Sequence, residues 1–515
     1  MITCLWLERP ARWRAMAAGL ILGLVTVPAW PLVWRAIVPG EATPLAGSFA
    51  IALRNSLEIA AFVGVIAFVI GRPAGVALAL YKFPGRSLAF AIVMLPLLVP
   101  TFLWAIGWSA LAAQAGPAAT AWITGRTGCV LVFLGSAIPL VVLVSYAATL
   151  ALSGTQIEAA RLAGGERAVV YYACRYGATA ACFAAALAGL LTLSDPGPGQ
   201  IFGRRTAASD VLTSFSSQYD FGLAGRQCAL LALAVLLLAI PLVLLAATRL
   251  SSQILVRQVR SIVRISPGPM AIGISLTFAA LILVTMAVPL AGLLLPLQNG
   301  LDMTRAWREV ARTGVNTLVY AIGAGFVSTG LSLLTAISVG HSDRLRTAVL
   351  GSCLALFALP PSMTALGMVY AATSGPSWLD WLTRSRAVVC LGLGLHYFPL
   401  ATVIALRSWG TLPATWTHAA AIHGVPFSKY FFKVVVPHLL PAMGVTLLLV
   451  GLLATADVGT VLLLHPPGRT SLPLAIFTVM ANAPESLVAS LCVSYLLLAL
   501  GLLVVLWSLA GRHTT

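Results

Sequence analysis

Apolar runs of about twenty residues, separated by short polar stretches, recur along the whole chain. A membrane-spanning helix needs about 20 mostly apolar residues at 1.5 Å rise each. The pattern predicts about twelve spans, at 16–37, 49–70, 88–112, 128–150, 178–194, 228–248, 271–296, 314–339, 347–373, 387–406, 439–463 and 487–510. The fifth is the shortest. The first follows Arg9, Arg12 and Arg14 and resembles a secretory leader. It lacks a small-x-small cleavage site and many spans follow, so it reads as a first, uncleaved transmembrane helix. Between the sixth and seventh spans lies a basic stretch with Arg249, Arg257, Arg260 and Arg264, ending in Pro267-Gly268-Pro269. It divides the chain into a first half (1–250), a linker (251–269) and a second half (270–515).

Composition agrees. Of the 515 residues, 60% are hydrophobic and 9% charged, against about 25% charged in a soluble domain. That excludes a soluble globular protein and a disordered chain alike. The eight cysteines are scattered with no C-x-x-C, which excludes a disulfide scaffold. His341, His396, His418, His423, His438 and His465 do not recur at metal-ligand spacing, so neither a metal site nor a cofactor is expected. The net charge of +17 would suggest nucleic acid in a soluble protein. Here the basic residues flank spans, and no run of five like charges forms a nucleic-acid arm. With the N-terminus inside, 19 of the 31 lysines and arginines fall on the cytoplasmic side, so both termini are expected there.

The halves echo each other at offsets of 260 to 264 residues. Arg54-Asn55-Ser56-Leu57 returns as Val315-Asn316-Thr317-Leu318, and Asp195-Pro196-Gly197 as Asp457-Val458-Gly459. Leu95-Pro96 through Pro100-Thr101 returns as Leu359-Pro360-Pro361-Ser362. An ordered series at nearly one offset predicts two six-span repeats, and an even number of spans gives both copies the same orientation. The expected fold is thus an all-α membrane protein of about twelve transmembrane helices in two parallel six-helix repeats.

The strongest pair lies in two loops on the expected cytoplasmic side, 155–177 and 415–437. The first opens Thr155-Gln156-Ile157-Glu158-Ala159-Ala160-Arg161-Leu162-Ala163-Gly164. The second opens Thr415-Trp416-Thr417-His418-Ala419-Ala420-Ala421-Ile422-His423-Gly424. Each reads as a short helix with marked ends. Thr155 caps the first, with Glu158 completing a capping box. Thr415 caps the second, where His418 stands in place of the Glu. Gly164 and Gly424 are expected to stop the helices in the left-handed conformation, and Pro426 disfavours continuation past Gly424. A second helical stretch follows and is expected to end near Pro437.

Glu158-Ala159-Ala160-x-x-x-Gly164 resembles the EAA loop of the membrane subunits of binding-protein-dependent ABC importers. The first loop carries the head of that pattern, and its Cys174-Arg175-Tyr176-Gly177 departs from the Ile-x-Leu-Pro tail. The second loop has Val434-Val435-Val436-Pro437 at the tail and lacks the Glu. Two such loops in one chain resemble the fused permeases of iron(III) and thiamine importers. The resemblance implies that the loops are coupling helices seated in two cytoplasmic ATPase subunits, with an extracytoplasmic binding protein delivering substrate. It also implies a bacterial inner membrane and an iron(III) cargo, with thiamine or another small solute such as phosphonate as the alternative.

A phosphate-cradling G-x-x-x-x-G-K-[ST] loop needs a Gly-Lys pair. The only lysines, Lys82, Lys429 and Lys433, follow Tyr81, Ser428 and Phe432, so such an ATP site would have to be supplied by a partner and the chain reads as a transport subunit rather than an enzyme. An ion-coupled secondary transporter is the rival class. It calls for ionisable residues inside the membrane, which are scarce. Asp195 and Asp457, at matched span ends, fit either helix caps or a substrate pathway. Glu58 fits either a pathway residue or an interfacial carboxylate paired with Arg54 at i−4. The outer segments 195–226 and 464–486 are the expected docking surface for the binding protein.

Overall fold

A computed structural model describes residues 11–37, 47–254, 265, 270–299, 302–374, 381–382, 384–480 and 482–511. Most of the linker, with Arg257, Arg260, Arg264 and Pro267-Gly268-Pro269, lies outside the described residues, as does Arg9. The described residues form helices with no strand beyond one isolated bridge between Tyr81 and Ile265. Nine helices are long and apolar enough to cross a membrane, or up to twelve if each of three bent pairs counts as one span. Exposed Leu20, Val65, Leu237, Leu244, Leu276, Phe326 and Leu497 form the kind of apolar surface that lipid covers. This is a multi-pass membrane protein.

The long helices Gly47–Leu80 and Met303–Val339 form the frame. At 34 residues the first is about 50 Å long, well beyond the roughly 30 Å of a hydrocarbon core. Its last turns serve as a platform for the following loop, with Val76 and Leu80 packed against Ile157. Arg126–Leu150 and Ala178–Thr192 pack against the first frame helix, and Ala387–Trp409 and Val436–Ala456 against the second. Polar residues on the frame fasten short helices near its opposite end. Asn55 Nδ2 donates to Arg205 O at 3.0 Å and the Ser56 hydroxyl accepts from Ala207 N at 2.9 Å. Asn316 Nδ2 donates to Thr470 O at 3.1 Å and Thr317 Oγ1 accepts from Leu472 N at 2.8 Å.

Two predicted spans are bent within their length, and a third bend falls at the start of another. Residues 88–112 are split into Arg86–Leu98 and Thr101–Ala115, inclined by 99°. Residues 347–373 are split into Asp343–Ala358 and Pro361–Ala372, inclined by 81°. The breaks fall at Val99 and Leu359, each held extended by the proline after it. The third bend, of 51°, separates Gly154–Tyr176 from Ala178–Thr192. The eleventh span also differs from 439–463. It runs Phe427–Ala456, and Val458–Leu464 is a separate short helix. Nor does a helix end near Pro437. A π-turn at Phe431–Val435 precedes it and the helix continues, a local rearrangement that accommodates a residue without an N–H.

The first span and the seventh each cross to the far part of the chain. A Cβ on Gly367 would lie 1.8 Å from Pro28 O, and one on Gly107 would lie 2.0 Å from Pro289 O. Only glycine lets these backbones meet so closely.

Candidate functional site

Two features stand out: the pair of loops, and a cavity some distance from them. The helix of the first loop is seated on the platform end of Gly47–Leu80. Ile157 is buried with Val76, Leu80, Leu152, Val169 and Ala173, and the Arg72 guanidinium donates to Cys174 O. The cap is Ser153, not Thr155. Ser153 Oγ accepts from Gln156 N at 3.3 Å and Gln156 Oε1 accepts from Ser153 N at 3.0 Å, a complete capping box two residues earlier than expected. Thr155 bonds only to the Ser153 hydroxyl. Glu158 and Ala159 are exposed and Ala160 is half-buried.

Gly164 does not supply the left-handed turn. Its φ is −168°, and Gly165 has φ +66° and ψ −159°, a combination essentially confined to glycine. The chain bends there, then resumes as a helix to Tyr176, with Arg161 paired to Glu166 at 3.1 Å.

The second loop repeats the layout with other chemistry. The helix is Ala414–Ile422, capped by Pro413 without a side-chain hydrogen bond, so Thr415 is no cap. Thr417, where the first loop has Ile157, is buried and its hydroxyl is 3.0 Å from that of Tyr430. His418 and Ala419 are exposed and Ala420 is half-buried. Gly424 has φ +63°. Gly424 N donates to Ala421 O and Val425 N to Ala420 O, which is the hydrogen-bond pattern of a Schellman motif. His341 sits near this loop. Burial, with Arg346, His418 and Arg14 nearby, pushes its imidazole below the usual range.

The glycine geometry has a direct consequence. Gly165→Val and Gly424→Val force a β-branched residue into positive φ, at about 1–3 kcal/mol each. Gly164→Val meets only Ala168 Cβ at 3.0 Å. Thermal melting of the three purified variants is expected to rank Gly164→Val the mildest.

Each loop also exposes, among its apolar side chains, an almost fully bare aliphatic one that the sequence reading passed over. Leu162 is 91% exposed and Ile422, at the same offset of 260, is 82% exposed. A leucine or isoleucine so bare on a polar helix face stabilises nothing within the chain.

From the loops, Ala178–Thr192 and Val436–Ala456 run inward for about 22 and 31 Å at 1.5 Å per residue. Both end at one cavity of about 230 Å³, lined by Asp195 and Asp457. Broken backbone builds the cavity walls, because Pro96, Pro100 and Thr101 line it together with Leu359 and Pro361. Irregular backbone at membrane depth is tolerated where it lines a cavity.

Both aspartates line the cavity and hold local backbone, and Asp457 is the N-cap of Val458–Leu464. Asp195 accepts from Gly197 N at 2.9 Å and from the Thr101 hydroxyl. Asp457 accepts from Thr460 N at 2.9 Å and Thr460 Oγ1 at 2.8 Å. His396, Tyr397 and Ser136 also face the cavity. Sequence reasoning missed Ser136 and Tyr397 and judged His396 only by metal spacing, since a single polar residue in an apolar helix looks like core. No lysine or arginine is among the lining residues. Among the described residues no three His, Cys, Asp or Glu converge on a metal position. Glu58 is elsewhere, held by Arg54 at 3.1 Å, Arg204 at 3.7 Å and Arg126 at 3.8 Å.

No protein-family model, curated protein or solved structure matches the chain.

Proposed function

We propose that this chain is the permease of an importer driven by separate ATPase subunits, built as two parallel six-span repeats in a bacterial inner membrane. The observation that carries the reading is the pair of short loop helices, each followed by a helix that runs to the same cavity. They stand at an offset of 260 residues and each presents an almost fully bare apolar residue, Leu162 or Ile422. Two identical ATPase subunits, one per loop, are the partners that such a pair fits. The matched fastenings, Asn55 with Arg205 and Asn316 with Thr470, support the repeat. So do the reciprocal crossings at Gly367 with Pro28 and Gly107 with Pro289.

In this reading ATP-driven closure of the ATPase pair moves both loops, and the rigid helices behind them carry that motion to the cavity. An extracytoplasmic binding protein docks on the opposite face, over segments 195–226 and 464–486. The cargo is a small cation, iron(III), passing between Asp195 and Asp457. Hard cations suit carboxylate oxygen. A cavity of about 230 Å³ is smaller than the roughly 300–1,000 Å³ usual for organic ligands, which disfavours thiamine. Phosphonate would meet two carboxylates and no lysine or arginine.

Single cysteines at the exposed Ala159 and Ala419 test the arrangement. Both are expected to react only from the cytoplasmic side and to be protected when the ATPase is bound. Labelling of either from the outer face of intact cells would overturn it.

A further inference from the structure

A second cavity, of about 340 Å³, lies apart from the first. Its walls come from Ile106, Ala110 and Ala113 on Thr101–Ala115, from Leu293 and Pro296, and from Val488 and Ala489 at the start of Glu485–Gly511. Apart from Ser109 and Glu485 the lining side chains are apolar, and Glu485 makes no ion pair among the described residues.

The matching place in the other half is filled. Tyr370 stands at the offset of 260 from Ala110, and Gly225 precedes Ala489 by 264. The Tyr370 hydroxyl donates to Phe221 O. Its ring lies so close to Gly225 that a Cβ there would be 2.7 Å from the hydroxyl oxygen. One junction of the halves thus carries a tyrosine plug where the other has two alanines and a void.

From this difference we infer that the open groove is a lipid site, holding an acyl chain of a phospholipid with an ammonium headgroup. An empty apolar cavity forfeits dispersion contacts along its walls. In a bilayer the abundant apolar filler is acyl chain. The rim is continuous with lipid-facing surface, since Ala113 is exposed and so is Leu294, next to Leu293. Glu485, exposed at the start of the last helix, offers a carboxylate to an ammonium group and repels an anionic headgroup. The inference goes beyond the importer reading and rests on the repeat correspondence and on the chain being embedded in a bilayer.

The test uses the full chain in vesicles doped with phosphatidylethanolamine bearing a diazirine on its acyl chain. Crosslinks are expected in the segments around Ala110 and Val488. Ala110→Tyr, which rebuilds the plug, is expected to reduce them at least five-fold, as is Ala489→Leu, with unchanged labelling around the lipid-facing Leu276 as the folding control. Unlabelled phosphatidylethanolamine is expected to compete several-fold better than phosphatidylglycerol. Equal labelling in wild type and both variants, or equal competition by the two lipids, would overturn the inference. Because the readout is lipid rather than transport, its failure is distinct from failure of the importer reading.

Discussion

Replacing Leu162 and Ile422 together by aspartate is expected to abolish transport while leaving the permease folded in the membrane. Both side chains are almost fully exposed, so neither gives up internal packing. Surface changes of this kind usually alter stability by no more than about 0.5 kcal/mol. In an ATPase cleft the balance reverses. Burying a leucine or isoleucine is worth about 1.5–3 kcal/mol, and an unpaired carboxylate in its place adds a desolvation cost. At about 1.4 kcal/mol per factor of ten, the double variant is expected to lose at least a hundred-fold in affinity for the ATPase. Recovery of ATPase on the purified permease measures this directly. Undiminished recovery and transport would mean that the two helices are not the coupling elements.

Neutralising the cavity carboxylates is expected to have the second large effect. An asparagine oxygen accepts a backbone N–H as well as a carboxylate does, so Asp195→Asn and Asp457→Asn keep the bonds from Gly197 N and Thr460 N. They remove the charge and turn the second acceptor, which faces the Thr101 or Thr460 hydroxyl, into a donor. Each is expected to lower iron(III) uptake more than ten-fold with little change in melting temperature. Asp457→Ala also loses a helix cap, at about 1 kcal/mol, and Asp195→Ala loses the bond from Gly197 N, so both are expected to melt lower as well. The comparison separates the two roles. Normal uptake in both Asn variants would leave the aspartates to hold local backbone alone.

Most spans were legible because hydropathy over twenty residues is a strong signal, and the frame helices fell where the apolar runs did. The sharp bends were not. Pro96, Pro100, Pro360 and Pro361 were in plain view, but a run of apolar residues averages the same whether the helix is straight or turns by 99°. Yet those bends make the cavity.

In the first loop two capping signatures overlap, Ser153 with Gln156 and Thr155 with Glu158. The chain takes the earlier one, where the turn after Leu150 ends and where both side chains complete the box. The sequence reading placed the left-handed residue at Gly164; of the adjacent glycines at 164 and 165 the backbone selects the second. The exposure of Leu162 and Ile422 could have been suspected from an apolar residue on each polar face at one offset. The convergence of His396, Tyr397 and Ser136 on the aspartates could not, because it depends on how separate helices pack.

In the proposed function, ATP hydrolysed by partner subunits drives solute through this chain. The direct measurement is uptake of radiolabelled iron(III) into vesicles containing the permease, with its ATPase and binding protein. Accumulation that requires ATP, the ATPase and the binding protein, and that persists when ion gradients are collapsed, is the predicted result. Uptake that proceeds without ATPase and stops when the ion gradient is dissipated would contradict it.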